Sequence, residues 1–222
     1  MMRIGHRGSA SFENTIKGFI DALEHGVGGI EFDVRLSRDG IPVIMHDITI
    51  DRTSEGVGRV NRYDLDNLKT FNIKNSEEKI PSLQEVLYFM KGKNATMFIE
   101  LKEKDIEEKV LSLLNEYDAE KNSVVISFDK SIVERVKLLD PVLRTGLIHM
   151  LPFNAIASAK RINADYLISC ARFASSGFVR KAHDNSLAVV VWTVNSIRGI
   201  DKMDKIRVDG IMSDFPQLFR KT

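Results

Sequence analysis

The chain has 222 residues, of which 43% are hydrophobic and 28% charged, as in an ordinary globular protein. Its 32 Lys and Arg residues nearly balance its 31 Asp and Glu residues, so the net charge of +1 gives no support for a nucleic-acid partner or a polybasic membrane anchor. Cys170 is the only cysteine, which excludes an intrachain disulfide and a cysteine-rich zinc site.

Eight short apolar runs alternate with helical patterns along the chain. Each run is nearly continuous in apolar residues, which is typical of a strand covered on both faces. The predicted strands are residues 2–6, 29–36, 96–101, 123–127, 144–148, 164–169, 187–194 and 209–213. The predicted helices are residues 14–25, 82–91, 104–117, 130–139, 154–162, 175–184, 197–203 and 216–221. This alternation predicts an α/β protein, a (β/α)8 TIM barrel, in a single domain over residues 1–222.

One segment after the second predicted strand breaks the alternation. Asp39-Gly40 is a strong hairpin signal, so residues 41–45 are predicted to fold back beside the second strand. Residues 47–79 are polar and irregular, with Gly56 and Gly58 close together. We expect a small inserted segment above the barrel, and long loops of this kind tend to carry function.

Acidic residues collect towards the ends of the predicted strands, where barrels of this class place their active sites. Glu31 and Asp33 point the same way because side chains alternate along a strand, and Glu100 ends the next strand. Three carboxylates without thiolates suit a hard cation, Mg²⁺ or Ca²⁺. In the competing arrangement, Arg7 and Lys102 pair with these acids in a buried ion network.

Two histidines, His6 and His46, adjoin further polar residues at the same end of the predicted barrel. Imidazole titrates near neutral pH, so the pair suits general acid–base catalysis. An alternative makes both histidines ligands of a two-His-one-carboxylate iron site. The other histidines lie in helical or apolar surroundings and are expected to be structural: His25, His149 and His183.

Arg7 and Lys102 add positive charge to this end of the barrel. Arg binds phosphate in a bidentate manner and Lys acts as a point charge. A metal, two bases and two cations together indicate a site for a phosphate ester. Gly5 and Gly8 are expected to let the backbone approach a ligand closely. No P-loop pattern occurs in the sequence, so nucleotide hydrolysis has no support.

These residues belong to a series of motifs that resembles the glycerophosphodiester phosphodiesterase family. In chain order the motifs are Gly5-His6-Arg7-Gly8, Glu13-Asn14-Thr15, Glu31-Phe32-Asp33-Val34, Asp39-Gly40, His46-Asp47, Asp51-Arg52-Thr53, Ile99-Glu100-Leu101-Lys102, Ser127-Phe128, Trp192-Thr193-Val194-Asn195 and Ser213-Asp214-Phe215-Pro216. They extend over essentially the whole chain, and together they are highly specific. Phe12 stands where the family usually has proline, a change expected to alter the pocket edge without removing a catalytic group.

The resemblance implies hydrolysis of glycerophosphodiesters to sn-glycerol 3-phosphate and an alcohol. It implies that His6 and His46 are the acid–base pair, and from the sequence we favour His6 as base and His46 as acid. It also implies a Mg²⁺ or Ca²⁺ ion on Glu31, Asp33 and Glu100, and substrate or phosphate contacts from Arg7, Glu13, Lys102 and Trp192. The alternatives are a lysophospholipase D-like or phosphoinositide-type phosphodiesterase on the same scaffold, or a non-catalytic barrel that binds phosphorylated ligands.

The sequence also indicates where the protein is expected to work. No apolar run approaches the roughly 20 residues that a membrane span requires. His6 lies only five residues from the first residue, which leaves no room for a cleavable apolar leader. We therefore expect a cytoplasmic protein with a small-molecule glycerophosphodiester as its partner.

Overall fold

Nine strands form a single sheet in the computed structural model, which describes residues 1–221. They are β1 (Met2–Gly5), β2 (Gly29–Leu36), β3 (Pro42–Ile44), β4 (Thr96–Leu101), β5 (Ser123–Ser127), β6 (Arg144–His149), β7 (Tyr166–Cys170), β8 (Ala188–Trp192) and β9 (Gly210–Ser213). All except β3 are parallel, and β1 pairs with both β2 and β9. These two pairings close an eight-stranded parallel barrel, which confirms the predicted TIM barrel.

Helices surround the barrel and connect its strands. They are α1 (Ile16–Glu24), α2 (Leu65–Leu68), α3 (Leu83–Met90), α4 (Glu107–Glu116), α5 (Lys130–Leu139), α6 (Ala155–Arg161), α7 (Ser176–His183) and α8 (Ile197–Lys205). The last predicted helix, over residues 216–221, is a six-residue 3₁₀ helix, Pro216–Lys221. None of the helices in residues 1–221 has both the length and the apolar character needed to cross a membrane.

Several helices begin later than their hydrophobic patterns predict, because capping residues lie outside the helix. Asn14 and Asn154 both have positive φ angles, 58° and 56°, so neither can be a helical residue. Thr15 accepts a hydrogen bond from the backbone N–H of Gly18 at the start of α1. Ser82 forms a reciprocal capping box with Glu85 at the start of α3.

The hairpin predicted after β2 is present, and the segment that follows it is more ordered than its sequence indicated. β3 pairs antiparallel with β2, and Gly40 in the turn has φ +74°. Residues 47–79 contain a 3₁₀ helix, Val60–Arg62, and the one-turn helix α2. With β3 and the flanking residues Met45 and Ile80 they form a separate hydrophobic cluster, which we call the insertion core: Val43, Met45, Ile50, Val60, Leu68, Ile73 and Ile80.

Two other apolar layers hold the barrel together. The larger lies between the sheet and the surrounding helices. The smaller fills the inside of the barrel with Ile4, Phe98, Val124, Ile126, Ile148, Ile168, Val190 and Met212. A filled interior leaves no pore. Ligands can therefore reach the barrel only at its mouths, and the charged residues described below lie at the carboxyl ends of the strands.

Candidate active site

Three buried carboxylates lie together on two neighbouring strands. Glu31 and Asp33 are on β2, Glu100 is on β4, and Asp33 pairs in register with Glu100. Each side chain offers one oxygen atom, and these atoms lie within 4.8 Å of one another. Asp33 Oδ1 is buried and accepts no hydrogen bond, and Lys102 Nζ lies 3.3 Å away as its ion-pair partner. Three buried carboxylates whose oxygen atoms lie this close together fit a hard divalent cation such as Mg²⁺ or Ca²⁺.

The cluster of potential metal ligands in residues 1–221 contains these three carboxylates and no histidine. The donor set therefore does not match the two-His-one-carboxylate iron site that the sequence left open. His6 lies beside the cluster, with its Nε2 atom 3.8 Å from Glu31 Oε2.

Two cations reach the same carboxylates. Lys102 Nζ is 2.6 Å from Glu100 Oε1 and 3.3 Å from Asp33 Oδ1. Arg7 Nε is 3.5 Å from Asp33 Oδ2. The buried ion network that the sequence offered as the competing arrangement therefore exists around Asp33 and Glu100. Glu31 instead accepts a hydrogen bond from the backbone N–H of Arg7 at 2.9 Å.

Burial and neighbouring charges give the three acids different pKa values. Burial and the charge of Asp33 raise the pKa of Glu31 to about 8, and burial also raises the pKa of Glu100. Burial would raise the pKa of Asp33 too, but the Lys102 and Arg7 charges outweigh it and lower that pKa. Glu31 therefore ionises less readily than an ordinary glutamate in the metal-free protein, and a bound cation would favour its ionised form.

His6 follows β1 and is held by a carboxylate behind its ring. Its Nδ1 atom is 2.6 Å from Asp214 Oδ1, and the other Asp214 oxygen accepts a hydrogen bond from Asn195 Nδ2 at 2.5 Å. Burial alone would lower the pKa of His6, but Glu31 and Asp214 outweigh it and raise that pKa. The ring therefore directs Nε2 towards the carboxylate cluster. Asp214 was not among the predicted site residues, although it lies in the last of the recognised motifs.

His46 follows β3 and has a similar arrangement. Its Nδ1 atom is 2.6 Å from Asp47 Oδ1, and Asp47 Oδ2 accepts a hydrogen bond from Arg52 Nε at 2.5 Å. Burial lowers the pKa of His46. Burial opposes ionisation of Asp47, but hydrogen bonds from Arg52 and His46 lower its pKa to about 2. Each histidine therefore has a carboxylate on Nδ1, and the two differ in the direction of their pKa shifts.

Glu13 joins the first loop to the insertion. Arg52 donates two hydrogen bonds to the Glu13 carboxylate, at 2.8 Å and 2.6 Å, and Arg7 Nη1 lies 3.3 Å from Glu13 Oε1. The structure thus places Glu13 among cations next to the site. Arg52 was missed as a site residue. The Asp51-Arg52-Thr53 motif could have indicated a role for Arg52, but Glu13, which it contacts, lies 39 residues away in sequence.

The charged groups form one side of a cleft at the barrel mouth. The polar side consists of His6, Arg7, Glu31, His46 and Glu100. The opposite side is apolar and consists of Ile126, Phe128, Ile148, Ile168, Trp192 and Met212. Trp192 donates a hydrogen bond to the Ile168 carbonyl at 3.3 Å and packs edge-on against Phe128. The cleft is therefore amphipathic, with charge and apolar surface facing each other.

Gly5 and Gly8 do not open the backbone to a ligand, contrary to expectation. A Cβ atom on Gly8 would lie 2.7 Å from the backbone carbon of Gly18 in α1, and Gly8 has φ +80°. A Cβ atom on Gly5 would lie 2.4 Å from the Gly8 carbonyl oxygen. These glycines let the first loop pack against its own chain, and that packing fixes the loop that carries His6 and Arg7.

Comparison with known proteins gives consistent matches over the whole chain. The model of the glycerophosphoryl diester phosphodiesterase family matches residues 5–218. A glycerophosphodiester phosphodiesterase of Caldanaerobacter subterraneus is 33% identical over 96% of this chain and 94% of its own length. The putative glycerophosphodiester phosphodiesterase YhdW of Bacillus subtilis is 31% identical over 100% of this chain and 97% of its own.

Solved structures show the same fold. A putative glycerophosphoryl diester phosphodiesterase from Silicibacter pomeroyi superposes with a TM-score of 0.92 at 23% identity, covering 99% of this chain and 91% of its own. An Oleispira antarctica phosphodiesterase, solved in complex with the product sn-glycerol-3-phosphate, has a TM-score of 0.88 at 25% identity. That match covers 99% of this chain and 95% of the other.

Proposed function

The chain belongs to the glycerophosphoryl diester phosphodiesterase family, and from this membership we propose that it hydrolyses glycerophosphodiesters to sn-glycerol 3-phosphate and an alcohol with a divalent cation. The observation that carries the proposal is the triad of buried carboxylates with converging oxygen atoms, set beside two histidines in one cleft. The Oleispira relative bound to sn-glycerol-3-phosphate supports the choice of substrate.

Glu31, Asp33 and Glu100 would hold the cation, and their oxygen-only donor set suits Mg²⁺ or Ca²⁺. When bound, the ion supplies positive charge to phosphoryl oxygens and orients the substrate. Lys102 spans Asp33 and Glu100, so it keeps the two acids close together. Asn14 donates a hydrogen bond to Asp33 Oδ2 at 2.8 Å and fixes the direction of that carboxylate.

Arg7 and Lys102 are the cations that the chain itself brings to the phosphate. The diester carries one negative charge, and more charge develops on the phosphoryl oxygens as the transition state forms. Arg7 lines the cleft, and its position is fixed by Glu13 and Asp33. Preorganised charge of this kind costs no rearrangement during the reaction and is usually the largest single contribution to catalysis.

The two histidines divide the proton transfers. The lowered pKa of His46 favours a neutral imidazole, which can accept a proton from the nucleophile, either water or the substrate's own hydroxyl. Asp214 on Nδ1 of His6 favours an imidazolium ring, which can donate a proton to the leaving alkoxide. The pKa directions therefore favour His46 as base and His6 as acid, the reverse of the order favoured from the sequence.

Release of sn-glycerol 3-phosphate from glycerophosphocholine tests the proposal directly. We expect release that stops in EDTA and resumes when Mg²⁺ or Ca²⁺ is restored, because the carboxylate triad is the proposed ion site. Release that EDTA does not affect would contradict the metal site. Binding of glycerol 3-phosphate without turnover under any cation would instead support the non-catalytic barrel that the sequence left open.

Asp214 is proposed as a positioning residue for His6, and Asp214→Asn is expected to lower kcat by at least about tenfold. The amide would no longer select the His6 tautomer, while KM for glycerophosphocholine should change much less. Asp209→Asn is the matched control, since Asp209 is 2.8 Å from His183 just before β9, at the opposite end of the barrel. Equal kcat values in wild type and Asp214→Asn would contradict this role.

A further inference from the structure

One arginine of the insertion binds two carboxylates that belong to different parts of the site. Arg52 Nε is 2.5 Å from Asp47 Oδ2. The two terminal nitrogens of the same guanidinium donate to both oxygens of Glu13, at 2.8 Å and 2.6 Å. A guanidinium that binds one carboxylate as a fork and a second through Nε has a fixed orientation. Arg52 therefore joins the first loop to the residues that follow β3.

Each of these carboxylates also contacts a group that lines the cleft. Asp47 Oδ1 is 2.6 Å from His46 Nδ1, and Glu13 Oε1 is 3.3 Å from Arg7 Nη1. An unbroken series of polar contacts therefore runs from His46 through Arg52 to Arg7. His46 and Arg7 line the cleft, whereas Arg52 lies outside it with 47% of its side chain exposed. Arg52 thus acts on a substrate in the cleft through its neighbours and not by direct contact.

The contact with Asp47 decides which nitrogen of His46 is available in the cleft. Because the carboxylate accepts from Nδ1, the proton of the neutral ring stays on Nδ1 and Nε2 is left for proton transfer. The Asp47 side chain is only partly buried, and Arg52 is the second group that holds it. Without Arg52, the Asp47 carboxylate would be able to turn towards solvent, and the His46 ring would lose its fixed direction.

The contact with Glu13 determines how far the Arg7 guanidinium is available to a phosphate. Burial opposes ionisation of Glu13, but hydrogen bonds from Arg52 and the charge of Arg7 lower its pKa, so the carboxylate is negative. Arg52 satisfies most of that charge with its two hydrogen bonds. Without them, Arg7 would be left as the cation bonded to Glu13. A closer ion pair between these two would draw the Arg7 guanidinium away from a phosphate oxygen.

The backbone at both ends of this series is held by other contacts. Arg35 donates two hydrogen bonds to the His46 carbonyl oxygen, at 3.0 Å and 2.8 Å. The Arg7 carbonyl oxygen accepts a hydrogen bond from the backbone N–H of Asn14 at 2.8 Å. Loss of the Arg52 guanidinium is therefore expected to change the directions of side chains and to leave the path of both loops intact.

We propose that Arg52 is a positioning residue for His46 and Arg7 together, so that the insertion aligns a proton-transfer group with a phosphate ligand. The inference rests on the proposed function, because the hydrolysis gives His46 and Arg7 these roles. It adds that the insertion sets the geometry of the reaction from outside the cleft. The competing account is that Arg52 only anchors the insertion to the barrel, as an exposed ion pair elsewhere on the insertion would.

Steady-state kinetics and product binding of Arg52 variants test the inference. Arg52→Gln is expected to lower kcat for glycerophosphocholine, and to weaken calorimetric binding of glycerol 3-phosphate in Mg²⁺, each by at least about tenfold. Arg52→Lys keeps the charge but cannot bind both carboxylates in the same geometry, so it should restore little of either loss. Arg38→Gln is the matched control. Arg38 Nε donates to Asp64 Oδ1 of the insertion at 2.8 Å, and this exposed pair does not line the cleft.

Double variants separate the two branches of the series. In a Glu13→Gln background, Arg52→Gln should no longer change the affinity for glycerol 3-phosphate, because the carboxylate charge that competes for Arg7 is gone. In an Asp47→Asn background that affinity change should persist, whereas the effect of Arg52→Gln on kcat should shrink. Such non-additivity is expected only of residues that act through one another.

Each outcome bears on one of the two proposals. Wild-type kcat and affinity in Arg52→Gln or Arg52→Lys would overturn the inference, and so would losses of the same size in Arg38→Gln. Additive effects in both double variants would also overturn it, in favour of a simple anchor. If the wild-type chain does not hydrolyse glycerophosphocholine, the proposed function is contradicted instead, and the affinity measurements in the Glu13→Gln background still decide whether Arg52 acts through Glu13.

Discussion

His6→Ala and His46→Ala are each expected to lower kcat for glycerophosphocholine by about 10²–10⁴-fold, because each removes one proton transfer. Both side chains lie at the surface of the cleft, so the circular dichroism spectrum and the unfolding midpoint should change little. His25→Ala is the control, since His25 caps the far end of α1 and its Nδ1 atom contacts the Asp21 carbonyl oxygen. Near-wild-type turnover of either site variant at saturating cation would remove that histidine from the mechanism.

A change of leaving group separates the acid from the base. A 4-nitrophenyl diester releases a stable phenolate that needs little protonation, so loss of the acid should cost less with this substrate than with glycerophosphocholine. If His6 is the acid, His6→Ala should recover much of its lost activity and His46→Ala should not. The opposite pattern would restore the order favoured from the sequence, with His6 as base.

Glu31→Gln and Asp33→Asn are expected to change the stability of the metal-free protein in opposite directions. Ionised Glu31 is buried beside like charges, so replacing it should stabilise the fold at high pH. Asp33 is paired with Lys102 and Arg7, and removing one partner of a buried ion network costs about 3–5 kcal/mol. Urea unfolding in EDTA measures both effects. Destabilisation by both variants at pH 9 would contradict the assigned charges.

The pH dependence follows from the same assignment. The folded pKa of Glu31, about 8, lies above its unfolded value, so its contribution to stability is full below the unfolded pKa and is lost as pH rises through about 8. The stability difference between Glu31→Gln and wild type should therefore grow between about pH 5 and pH 9 in EDTA. Saturating Mg²⁺ or Ca²⁺ should stabilise wild type more than Glu31→Gln, because the variant lacks one ligand. A pH-independent difference would show that Glu31 titrates normally.

The barrel could be predicted from the sequence because its strands are buried on both faces and read as continuous apolar runs. β2, β4 and β5 have the predicted bounds, and α5 also begins and ends as predicted. Helix starts were less accurate because a local side-chain contact decides them, as at Thr15. The insertion core was not predicted, since its apolar residues are widely spaced in sequence and meet only through the folded loop.

The carboxylate triad could be predicted because the two acids on β2 are two residues apart and the third is at the end of a strand. The contact that orients His6 could not be predicted in this way. His6 and Asp214 are 208 residues apart, and only closure of the barrel brings β1 next to β9. Arg52 contacts Glu13 across 39 residues. Local sequence patterns contain no information about which distant residues form such pairs. The recognised motifs did include Arg52 and Asp214, but they did not show which residues these two contact.

The insertion core is expected to open at a lower temperature than the barrel. Its residues pack on one another, apart from the layer between sheet and helices, so residues 47–79 can open locally while the barrel stays folded. His46 directly precedes this segment. Arg52 lies within it and hydrogen-bonds Glu13 in the first loop. On warming, catalysis should therefore cease before the barrel melts. We therefore expect the smallest hydrophobic core to set the upper working temperature of the enzyme.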